Sequence, residues 1–233
     1  MLGGMKPLPT RRAVGTALAL ALALVSRAPA GAVDVNLDRD AIDQAIIFAR
    51  QAERPERVAF HDGYLRTPGN ELRRVSVVTE YRRVVLLVEE KMRVLDRNYG
   101  VRQMTEALKP WRGLVEIIVE LQFHPQNAFV RVPLVDVLLV PLDGSGNPMP
   151  LIADATDRRP RFGLFWDPLP VDAPWWPFPP PTTPVLGGTE PLTGGWVHAR
   201  FEAAGLARGR YEVAVKNGAT AVGRVQFNFG AIR

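Results

Sequence analysis

At Pro110 the spacing of apolar residues changes from helical to alternating, and no other feature constrains the fold as strongly. Before it, apolar residues recur at three- and four-residue intervals; after it, at every second residue. Beyond Pro110, Val115, Ile117, Val119, Leu121 and Phe123 alternate with Glu116, Ile118, Glu120 and Gln122, as in a strand with one strongly apolar face. A chain built this way is expected to be of α+β type, with a helix-containing region at 33–110 and an antiparallel β half at 111–233.

In the first region, Asn36 or Asp38 can cap a helix whose apolar stripe is Ala41, Ala45, Phe48 and Ala52, with Ile42, Ile46 and Ala49 beside it. Pro55 is expected to stop it. A short strand is expected at 58–60, then turns through Gly63, Pro68 and Gly69. Val75, Val77 and Val78 read as a strand. Thr79 is an acceptable N-cap for a helix carrying Tyr81, Val84, Val85, Val88, Met92 and Leu95, although 84–88 also suits β structure. A short helix at 102–108 precedes Pro110.

In the second region, a long strand is expected at 129–140, with Pro133 forcing an edge position or a bulge. A turn at 143–148, a short strand at 149–153 and strands at 196–202, 210–216 and 220–229 follow. Asn217-Gly218 is a type I′ hairpin signal between the last two. Arg158-Arg159-Pro160-Arg161 reads as a solvated loop or a small basic rim. Residues 166–188 are an insertion dense in proline, centred on Trp175-Trp176-Pro177-Phe178-Pro179-Pro180-Pro181, which favours polyproline II and excludes a central strand.

Leu206-Ala207-Arg208-Gly209-Arg210-Tyr211 resembles the L-x-x-G-x-Y entry to a late strand of bacterial immunoglobulin-like domains. The Asp143 to Pro148 turn is similar to the D-x-x-G-N-P hairpins of those domains. The resemblance implies an immunoglobulin-like β-sandwich over 111–233, a tyrosine corner in which the Tyr211 hydroxyl bonds upstream backbone, and a display or binding module.

The leader sets the expected compartment. Lys6, Arg11 and Arg12 precede an apolar run at 13–25, followed by small-residue cleavage options at Ala28-Pro29-Ala30 and Ala30-Gly31-Ala32. That order predicts a signal peptide over 1–32, and the apolar run is short for a membrane span. The formal charge is +5, but residues 1–32 carry four basic residues and no acid, so the remainder is only +1. Nucleic-acid binding is therefore not expected. Arginine far outnumbers lysine, a bias of GC-rich bacterial genomes. The expectation is a bacterial protein in the periplasm or outside the cell, with no stable membrane insertion after cleavage.

The inventory of reactive groups is short. With no cysteine in the chain there is no thiolate, disulfide or thioether-linked lipid. Ser76 lies in an apolar strand pattern, and Ser145 sits in a Gly-Ser-Gly that lacks the nucleophile-elbow spacing. His61, His124 and His198 share no metal-ligand spacing, and His198 is expected to face solvent or the proline-rich insertion. Asp143, Ser145, Asn147 and Asp154 match a calcium loop in spacing, but Pro148 replaces its glycine. Glu116 and Glu120 share a strand face at about 13 Å, outside either glycosidase geometry. Glu89 and Glu90 read as a solvated patch. No catalytic residue, metal site or cofactor is therefore expected.

The functional expectation is a non-catalytic envelope binding or accessory protein. Trp175, Trp176 and Phe178 form its contact with an envelope protein or glycan. The alternatives are a lid that packs these rings over the sheet, a carboxylate enzyme acting on envelope polysaccharide, and a structural spacer.

Overall fold

Asp38 starts the first helix, α1 (Arg39–Gln51), its carboxylate accepting the Ala41 N–H at 2.7 Å. Ile42, Ala45, Ile46 and Ala49 form its buried stripe. The computed structural model describes residues 33, 36–69, 71–96, 98–143, 149–163 and 191–233. Pro55 does not end the helical region. It lies in the first turn of a second helix, α2 (Arg54–Asp62), where a missing N–H costs no intrahelical bond. Glu56 reaches back to the Glu53 N–H at 3.0 Å and caps that helix, so the strand expected at 58–60 is helical instead.

A two-residue strand, β1 (Leu65–Arg66), leads to β2 (Leu72–Val78). Thr79 then switches the chain to α3 (Glu80–Arg93), its hydroxyl oxygen accepting the Arg82 N–H at 3.2 Å. The valines at 84–88 are therefore helical. After α4 (Val101–Leu108) and a 3-10 turn at Lys109–Trp111, β3 (Leu114–Gln122) begins the β half. The remaining strands are β4 (Asp136–Pro141), β5 (Leu151–Ile152), β6 (Ala155–Phe162), β7 (Leu192–Glu202), β8 (Arg210–Asn217) and β9 (Thr220–Asn228).

All pairings among these strands are antiparallel. One sheet has the order β1-β2-β3-β7-β6 and the other β5-β4-β8-β9. Val75, Ile117, Val119 and Val197 of the first meet Leu139, Val213, Val215 and Phe227 of the second in one apolar core. The opposite face of the five-stranded sheet is covered by helix: Leu86 of α3 packs on Val78, Ile118 and Trp196. Helices α1, α3 and α4 share a further cluster that includes Ile42, Tyr81, Val84, Val88 and Met104. The result is three layers, namely helices, a five-stranded sheet and a four-stranded sheet. The helical region is stitched to the β half through β2, whose Ser76 and Val77 pair with Ile118 and Ile117.

Three further expectations are corrected. Residues 129–135 precede the strand rather than belonging to it; Arg158 Nη2 donates to the Val135 carbonyl at 3.2 Å, and the Val132 side chain occupies the space where a Cβ at Gly195 would stand. The arginine run at 158–161 is not a loop but half of β6, an edge strand where Pro160 need not donate to a neighbour. In the last hairpin Asn217 pairs with Thr220, so the loop is Gly218-Ala219. Only Gly218 has positive φ, at 58°, which fits a type II′ turn rather than I′. The Tyr211 hydroxyl accepts the Ala207 N–H at 2.9 Å, the upstream backbone bond expected for it.

Candidate functional site

Alternation along β3 sends Glu116 and Glu120 to the helix-covered face of the sheet, where both are buried. Each is held by basic side chains from neighbouring elements. Glu116 pairs with Arg83 of α3 and with His198 Nδ1 at 3.1 Å, with Arg200 3.8 Å away. Glu120 pairs with Arg73 at 3.3 Å and with Arg74 and Arg161, each at 2.9 Å. Trp111 carries the Arg83 guanidinium over its ring at 3.6 Å and that of Arg200 at 4.7 Å. Burial alone pushes the Glu116 carboxyl upward. The His198 hydrogen bond and the Arg83 charge outweigh it and bring the carboxyl down to about 2. His198 is 3% exposed and does not face solvent.

A second interior cluster lies between α2, α3 and β2. His61 meets Glu89 Oε1 through Nε2 at 3.3 Å, and Arg82 Nε–H donates to its Nδ1 at 3.5 Å. Glu89 is thus buried and paired, not part of a solvated patch. Arg82 also donates to Ser76 Oγ at 2.6 Å and to the Tyr64 and Val77 carbonyls, and burial brings its guanidinium down to about 9. Burial likewise lowers the His61 pKa despite the Glu89 hydrogen bond. Both clusters satisfy charge inside the protein, and neither presents a carboxylate or a hydroxyl to a substrate.

The accessible chemistry lies at one end of the sandwich. There β3 and β8 finish, while β2, β4, β7 and β9 begin. The loop 123–135 crosses this end and is held by Asn127. Its amide donates to the His124 carbonyl at 2.7 Å and to the Leu192 carbonyl at 3.0 Å, while its oxygen accepts the Phe129 N–H at 2.9 Å. Beside the loop is a pocket of about 280 Å³, with Leu121, Phe123, Phe129, Pro133, Val135 and Val222 as its apolar lining. Glu71, His124, Asn127 and Asn217 supply polar groups. Phe123 and Phe129 meet edge to face at 5.0 Å. Phe129 is 47% exposed, and beside the pocket Leu134 is 65% and Val130 89% exposed. A pocket of this size suits one ring or one side chain rather than a large ligand.

Trp175, Trp176 and Phe178 lie outside the described residues, as do residues 1–32 and Ser145 and Asn147. The strands that flank the insertion are described: Phe162, the last residue of β6, pairs with Leu192, the first of β7, at the end that holds the pocket. Asp143, at the start of the calcium-like spacing, accepts the Arg210 N–H at 2.6 Å and an ion pair from its guanidinium at 2.9 Å. Among the described residues no group of three or more His, Asp or Glu is placed to hold a metal ion. No helix among them is long and apolar enough to cross a membrane. Phe129, Val130 and Leu134 were absent from the sequence-based candidates because their apolar run reads as strand. Comparison with protein-family models, curated proteins and solved structures gave no match.

Proposed function

We propose that this chain is an envelope binding or accessory protein without catalytic activity, acting in the periplasm or outside the cell. Its frame is an immunoglobulin-like sandwich with a helical layer added to one sheet. Support for that frame comes from strand order. Sheets β2-β3-β7-β6 and β5-β4-β8-β9 follow the immunoglobulin pattern ABED and C′CFG, with Tyr211 near the start of the strand equivalent to F. In this correspondence α3 and α4 are an insertion between the first two strands.

One observation carries the binding reading: exposed apolar side chains, a ring-sized pocket and the strands flanking the Pro/Trp insertion share one end of the sandwich. Loops clustered at the end of a rigid sandwich are a recurrent recognition surface. Trp175, Trp176 and Phe178, which belong to the insertion between those strands, are the residues proposed to contact an envelope protein or glycan. The burial of Glu116 and Glu120 by arginines weighs against a carboxylate enzyme built on them.

The test is a cross-linking pull-down from native envelope, with the wild-type chain and Trp175→Ala/Trp176→Ala and Phe129→Ala variants as baits. A component captured by wild type and lost with both folded variants is the expected result. Equal capture by all three sinks the reading.

A further inference from the structure

A second cavity, remote from the loop end, has no place in that reading. It is a groove of about 530 Å³ between the first turn of α1 and the first turn of α4. Its floor is apolar, with Leu37, Ile42 and Val101, and three guanidinium groups line it: Arg39, Arg102 and Arg112. Their charges are not equally committed. Arg112 pairs with buried Glu80 at 3.4 Å and donates to the Leu37 carbonyl at 2.6 Å. Glu106, the acid in the lining, is held by Lys109 at 2.7 Å. Arg39 and Arg102 have no ion-pair partner among the described residues, and both line the groove beside its apolar floor.

Both arginines occupy first-turn positions of their helices. A cation there opposes the helix macrodipole, so neither side chain is placed to stabilise its own helix. Residues that break a local stability rule without a compensating contact concentrate at functional sites. Guanidinium groups match carboxylate and phosphate oxygens in two-point contacts, and the volume lies within the range of small-molecule sites.

We propose that this groove binds a small amphipathic anion, a phosphate or carboxylate on an apolar body, with Arg39 and Arg102 holding the head and Leu37, Ile42 and Val101 taking the body. The site is independent of the Pro/Trp contact surface. Such an anion has two sources, a free metabolite or the headgroup region of an anionic lipid.

Calorimetric titration of the full chain with octyl phosphate, below its micellar concentration, tests the proposal. The expected result is saturable one-to-one binding that weakens at least tenfold in Arg39→Gln/Arg102→Gln. The melting temperature of that variant should stay the same or rise, because the removed charges oppose the helix dipoles. A variant that binds poorly and also melts early would be judged instead on Arg39→Lys/Arg102→Lys, which should recover part of the affinity. Octyl glucoside tests the head and inorganic phosphate tests the body, and each should bind at least tenfold more weakly than octyl phosphate. Sedimentation with phosphatidylglycerol vesicles separates the sources: arginine-dependent co-sedimentation assigns the anion to a lipid, and its absence beside octyl phosphate binding assigns it to a free molecule. No saturable binding of octyl phosphate, equal binding by the glutamine variant, or equal binding of inorganic phosphate or octyl glucoside overturns the proposal.

Discussion

Glu116 keeps its charge in the interior because Arg83 and His198 meet it there, and removing it would leave both partners buried without their anion. Its carboxyl lies near 2 in the folded protein, against 4.5 for a free glutamate. A depressed folded value contributes stability that is complete above pH 4.5 and is lost as pH falls toward 2, amounting to about 3 kcal/mol. Urea unfolding should show Glu116→Gln destabilised by about 3 kcal/mol at pH 7 and without the wild-type decline between pH 4.5 and 2. His61 adds an acid-sensitive contribution of the same sign. Its folded pKa is lowered, so the unfolded chain takes up the proton first and stability falls as pH drops below 6.5. His61→Gln should flatten the stability profile just below pH 6.5. The shared face of Glu116 and Glu120 was legible from period-two alternation. Their burial was not, since nothing local in β3 says that α3 lies across that face.

Tyr211 and Gly194 fix elements rather than charges. Tyr211→Phe removes the acceptor of the Ala207 N–H at the entrance to β8 and should cost about 1–2 kcal/mol in chemical denaturation, with the strands retained. At Gly194 an added Cβ would stand 2.3 Å from the Leu121 carbonyl oxygen, a backbone atom that cannot move without disturbing the β3–β7 pairing. Gly194→Ala should therefore destabilise by about 1–3 kcal/mol, and amide exchange should rise around Leu121 and Gly194 before it rises in β8. Local signals predicted elements well where a cap or a turn marked the boundary, as at Asp38, Thr79 and Tyr211. They misled where composition stood in for pairing. Residues 129–135 are apolar enough for a strand yet lie across the end of the sandwich, whereas 155–162 are charged and contain Pro160 yet form an edge strand, where both are tolerated. Pro55 lies in the first turn of a helix because Glu56 caps it through the Glu53 N–H, a short pattern overshadowed by the proline itself.

For the molecule as a whole, the sequence separated a helical region from a β region, and the structure joins them through β2 and the cover that α3 lays over the five-stranded sheet. That joining depends on strand pairing across tens of residues, for which periodicity carries no signal. The pocket end of the sandwich was not legible in the sequence; the gathering of Phe129, Val130 and Leu134 beside the pocket required the fold. The most direct test of a contact surface at this end is position-specific photo-cross-linking in native envelope. A photoreactive residue at Val130, 89% exposed at the pocket end, is compared with one at Ala204, exposed in the 3-10 turn that follows β7 at the opposite end. The account predicts a defined adduct from position 130 that is lost in the Trp175→Ala/Trp176→Ala background, and none from position 204. Equal adducts from both positions, or an adduct from 204 alone, would contradict it.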